Sequence, residues 1–152
     1  LVVDNNWLAN NYGNLIQRTL SLVLKRFDGK IEKKIPEGDG LSLLKRSLTL
    51  KDDIEKLFPD INSILFFILD FIKDCNIYIS KEQPWSLPND DGEVVFYVLL
   101  NCIFYINEAL YPVIPNASES VKHFIKKENF KHIKQKNESG PSVNVLRLQS
   151  TS

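Results

Sequence analysis

The stretch from Ile61 to Ile79 constrains the fold more than any other part of the chain. Ile61, Ile64, Leu65, Ile68, Ile72, Cys75 and Ile79 recur at intervals of three and four, the spacing of one helical face. Phe66, Phe67, Leu69 and Phe71 fill the other directions, so this helix is apolar almost all round and calls for neighbours on every side. A central helix of that kind needs a bundle, and the remaining sequence supplies one. Residues 4–27 carry Leu8, Tyr12, Leu15, Ile16, Leu20, Val23, Leu24 and Phe27 on one helical face, with Asp4 placed to cap the start and Gly29 to end it. A loop rich in Gly, Lys and Pro is expected over 28–40. A second helix is expected from about Leu41 to Leu57. Pro59 breaks it and Asp60 caps a third, from about 61 to 82.

Gln83-Pro84-Trp85-Ser86-Leu87-Pro88 cannot continue a helix, because its two prolines forbid it. A fourth helix follows over about 91–111, and a fifth from Asn116 to about Lys127, with Glu119 as capping-box partner. The reading is all-α: a single bundle of about five helices over 1–133, then a polar tail, 134–152, expected to be mobile. The apolar run from Val94 to Ile106 is shorter than the roughly 20 residues of a membrane span and reads as a buried helix.

Composition narrows the function classes. A length of 152 residues suits one domain, and 19 basic against 19 acidic residues exclude a protein that coats nucleic acid by net charge alone. Cys75 and Cys102 make neither a disulfide framework nor a zinc site and read as core positions; His123 and His132 build no metal site by themselves. Asp52-Asp53 and Asp90-Asp91 stand near helix starts, where carboxylates favour the dipole. Gly38-Asp39-Gly40 reads as a turn and lacks the context of a phosphate loop. Neither a catalytic constellation nor a cofactor site is expected. The chain has no Met, even at position 1, and reads as a piece of a longer protein.

The first helix carries a polar patch that neither core nor cap requires, Asn10-Asn11-Tyr12-Gly13-Asn14-Leu15-Ile16-Gln17-Arg18. Gly13 inside a helix costs about 1 kcal/mol relative to Ala, so something is expected to approach the backbone there. Asn14 and Arg18, four apart, project from one face. An amide beside a guanidinium offers an acceptor and donors together, which is the complement of a cytosine edge; the same pair could instead bond a neighbouring helix. Trp85, framed by proline, is either a stacking platform for a single-stranded base or a plug for the bundle end. Two locally basic stretches, 25–34 and 122–136, could meet phosphates or be solvated helix ends. Lys25, Arg26 and Lys30 are the candidate phosphate contacts.

These residues carry a family resemblance. Asn10 to Arg18, followed by Arg26-Phe27-Asp28-Gly29-Lys30, resembles the opening helix of the anticodon-binding domain of methionyl-tRNA synthetases, a class I synthetase type. Lys81-Glu82-Gln83-Pro84-Trp85 resembles that family's proline–tryptophan turn. Leu110-Tyr111-Pro112-Val113-Ile114-Pro115, with Ser118 beyond, is similar to its helix connection. The match runs from about Asn5 to Ile125.

The resemblance implies that Asn14 and Arg18 read the anticodon's cytosine and that Trp85 stacks on its bases, with Asn10, Gly13 and Pro84 in support. It implies the tRNA(Met) anticodon loop and the catalytic domain of a parent enzyme as partners, neither DNA nor a membrane, and a cytoplasmic location. ATP and magnesium would belong to the parent, whose catalytic motifs are absent here. Two other readings stand beside it. One is the equivalent domain of a valyl-, leucyl- or isoleucyl-type synthetase, which lacks the paired Gly-Asn-x-x-x-Arg and Pro-Trp features. The other is a helical protein-interaction module, favoured if Asn14, Arg18 and Trp85 do not share one exposed surface.

Overall fold

The structure, a computed structural model, describes residues 5–111 and 145–147. Four helices make the bundle: α1 (Asn5–Phe27), α2 (Gly38–Glu55), α3 (Ile61–Glu82) and α4 (Asn89–Leu110). β1 (Lys30–Glu32) follows α1 and pairs antiparallel with β2 (Val145–Arg147), Ile31 opposite Leu146. A 3₁₀ turn, Pro84–Ser86, joins α3 to α4. Among the described residues the fold is all-α apart from one short strand pair. The expected fifth helix, the Asp4 cap and the connection beyond Tyr111 lie outside the described residues.

The ends of the elements follow local rules. α1 stops where Asp28 and Gly29 take positive φ (56° and 77°), and the Gly29 N–H folds back to donate to Val23 O at 3.2 Å, which closes the helix end. Asp60 caps α3: its carboxylate accepts from the Ser63 N–H at 3.1 Å and from the Ser63 hydroxyl at 2.7 Å. Those bonds hold the Asp60 carboxyl below the usual Asp range.

Four expectations are corrected. The segment 28–40 is not all loop. Lys30-Ile31-Glu32 alternates exposed, buried, exposed, a strand too short to be recognised by its period, and the Glu93 carboxylate of α4 holds it by accepting from the Glu32 N–H at 2.9 Å and pairing with Lys34 at 3.3 Å. Gly38-Asp39-Gly40 is not a turn but the first turn of α2. A Cβ at Gly40 would stand 2.6 Å from the Tyr78 hydroxyl, so glycine is required here by close helix packing and not by backbone conformation.

The central helix is α4 rather than α3. Phe66, Phe67 and Ile77 leave the outer side of α3 exposed, whereas α4 buries Val95 to Phe104 without a break. Two helices apolar on every side are indistinguishable by periodicity, and only packing decides which is wrapped. By length and composition α4 would suffice to cross a membrane, but 72% of its most apolar window is buried inside the fold; burial, not shortness, makes it a core helix. Cys75 and Cys102 are free and buried in this core. Tyr12 seals α1 against α4, its hydroxyl donating to Ile103 O at 3.4 Å, and burial pushes its pKa well up.

Candidate nucleic-acid interface

The two faces of α1 separate cleanly. Tyr12, Leu15, Ile16, Thr19, Leu20 and Val23 are buried, while Asn10, Gly13, Asn14 and Gln17 are exposed and Arg18 is half-buried. Around Gly13 no other part of the described chain comes within 4 Å of where a Cβ would stand, so its cost to the helix is not offset by packing inside the domain. Asn11 is turned to the bundle through its backbone: its carbonyl accepts from Asn76 Nδ2 of α3 at 3.0 Å.

Arg18 meets the turn that follows α3. Its guanidinium carbon lies 5.9 Å from the centroid of the Trp85 ring, within cation–π range, and Nη2 donates to Ser80 Oγ at 3.1 Å. Trp85 keeps 46% of its surface exposed, so it does not plug the bundle end. α3 brings the ring here because its helix cannot pass Pro84. Gln83 takes the left-handed conformation (φ 48°) as C-cap, and Pro84, buried, opens the 3₁₀ turn. Ser80 uses one of the five guanidinium donors of Arg18; a further planar acceptor pair can engage the others. The surface thus offers a flat ring, a fixed cation and, one helical turn away, the exposed amide of Asn14.

The candidate phosphate contacts part ways. Lys25 and Lys30 are exposed. Arg26 is committed to protein acceptors: Nη1 donates to Pro84 O, and Nη2 to Leu87 O at 2.8 Å and to Asn89 Oδ1 at 2.7 Å. Lys81, beside the tryptophan turn in sequence, pairs with Asp39 at 2.6 Å, which raises the lysine pKa. Sequence reasoning missed Ser80, an exposed α3 residue that anchors Arg18, because a lone serine at the end of a helix carries no signal of its long-range partner. Among the described residues no group of three or more His, Cys, Asp or Glu could hold a metal ion.

No protein-family model matches the chain. It is 32% identical to the methionine–tRNA ligase of Rickettsia prowazekii over 158 residues, covering 93% of this chain and 30% of that one. Identity to the Rickettsia bellii enzyme is 38% over 125 residues, covering 75% and 24%, and to the Clostridium acetobutylicum enzyme 32% over 128 residues, covering 78% and 20%. The crystal structure of the apo methionyl-tRNA synthetase of Mycobacterium tuberculosis superposes with a TM-score of 0.71 at 27% identity, covering 79% of this chain and 26% of that one. The same protein in complex with methionyl-adenylate shares the fold at a TM-score of 0.79 over 97% of this chain, at 23% identity. Bundle and relatives together define a helical domain of the aminoacyl-tRNA synthetase kind. The chain belongs to the methionyl-tRNA synthetase family, of which it spans less than a third of the curated relatives' length.

Proposed function

We propose that this domain recognises the CAU anticodon of tRNA(Met) on behalf of a parent synthetase that ligates methionine to tRNA. The observation that carries the reading is Arg18 set against the half-exposed Trp85 ring, with Asn14 one turn away on the same helix face. The Asn14 carbonyl suits the cytosine amino group, and the Arg18 donors suit ring N3 and O2. Trp85 supplies a stacking face worth about 1–3 kcal/mol per base, indifferent to base identity. ATP and magnesium chemistry belongs, in this reading, to the parent's catalytic domain, the second partner of the chain, and the setting is the cytoplasm.

The test is a titration of the chain with anticodon stem-loops carrying CAU or UAU at fixed salt. A correct polar contact set is worth about 1–3 kcal/mol of discrimination, by analogy with bidentate base contacts. CAU should therefore bind more tightly, and Trp85→Ala should weaken both loops by a similar factor. Equal binding of the two loops by the wild-type chain would remove base readout. Methionine-dependent ATP–pyrophosphate exchange should be absent from the isolated chain; robust exchange would overturn the division of labour.

A further inference from the structure

Arg26 is half-buried at the end of α1, at the foot of the tryptophan turn. Below it the packing is continuous with the core. Its guanidinium carbon lies 5.5 Å from the Phe27 ring centroid, and Phe27 meets the fully buried Phe96 edge to face at 5.7 Å. Above it the fork spans the turn, bonding the carbonyl before Trp85, Pro84 O, the carbonyl after the turn, Leu87 O, and Asn89 Oδ1 in the first turn of α4. Gly92 makes the room. A Cβ there would stand 3.1 Å from Pro84 O and 3.2 Å from Arg26 Nη1. One planar cation therefore ties α1, the turn and α4 into a single frame around residue 85.

We propose that Arg26 is the positioning residue of the tryptophan platform: it fixes the Pro84–Ser86 turn so that the Trp85 ring is held ready for a base beside Arg18, and its charge serves that frame and not a phosphate. The proposal rests on the RNA-binding reading for its consequence, though not for its geometry. Lys at position 26 would keep the charge but, as a compact point charge, does not match three acceptors around a planar fork.

The experiment combines a binding cycle with the motion of the ring. In the 152-residue chain the Trp85 indole N–H is assigned by its loss in Trp85→Phe, and its order parameter is measured by relaxation in wild type, Arg26→Lys and Gly92→Ala. Both variants are expected to lower the order parameter of Trp85. Arg26→Lys is expected to weaken CAU and UAU loops alike by about five- to tenfold, the size of a lost fraction of one stacking contact. Trp85→Ala should then cost less in the Arg26→Lys background than in wild type. An unchanged order parameter in Arg26→Lys overturns the proposal. So does a strictly additive cycle in which Arg26→Ala lowers the salt slope by about one, the signature of a phosphate contact. If the wild-type chain binds neither loop, the functional reading fails while the order parameter still decides the frame. If Arg26→Lys does not fold, Gly92→Ala carries the same two readings, and unchanged ring motion and affinity there overturn the proposal.

Discussion

α4 and α1 are both long amphiphilic segments of one bundle, yet they do opposite work. α4 buries fourteen of its residues, and it takes Asn101 inside with a local bond, Nδ2 donating to Tyr97 O at 2.8 Å. α1 gives only one stripe to the core and keeps an amide- and glycine-bearing stripe outside. Burial leaves the middle of α4 no freedom to carry recognition chemistry, because its side chains from Val95 to Phe104 are already packed inside the fold. α1 can carry it because its stability comes from Tyr12, Leu15 and Leu20 on the far side. The fold and the interface are therefore separable, and substitutions on the two helices should fall into two classes.

Phe96→Ala should have the largest effect. Phe96 is fully buried and packs on Phe27, so truncation should cost about 3–5 kcal/mol in urea unfolding, close to the whole stability of a small domain. A loss below about 1 kcal/mol would mean that α4 is not the centre. Arg18→Ala should divide the classes most sharply. Stability should stay within about 0.5 kcal/mol of wild type, while CAU stem-loop affinity falls by about 1–3 kcal/mol and UAU affinity changes little. A melting curve that collapses with Arg18→Ala would break the separation.

Asp60→Ala should have the smallest effect and belongs to neither helix. It removes the α3 cap and should lower the melting temperature at neutral pH by about 2–4 °C. The Asp60 pKa is lowered in the fold, so the cap's contribution is present above the ordinary carboxyl range and disappears as pH falls through the lowered value. The gap between wild type and Asp60→Ala should therefore close on acidification, and loop binding should not respond.

Much of this was legible before the structure. Asp60 and Pro84 set the ends of α3 because capping and the proline ring act within a few residues, and the exposed stripe of α1 follows from its period. The choice of α4 over α3 as the wrapped helix was not legible, since both read as apolar all round. Nor was the setting of Arg26, two of whose acceptors are main-chain carbonyls that every residue possesses and no letter marks. Gly40 misled for a related reason: a glycine demanded by a tyrosine hydroxyl 38 positions away looks, in sequence, like a glycine demanded by a turn. The adjacency of Arg18 and Trp85 came from family resemblance, and no spacing argument in one chain could have supplied it.

The bare backbone at Gly13 turns α1 into a measuring gauge. Because the described chain leaves the space beyond its Cα open, Ala, Leu or Phe should fit there without disturbing the bundle, and Ala should firm the helix by about 1 kcal/mol. The folded domain is thus blind to the size of residue 13, whereas a molecule that settles between Asn10, Asn14 and Gln17 is not. A ladder of side chains at this one position would report, in steps of a carbon or two, how near that molecule comes to the helix.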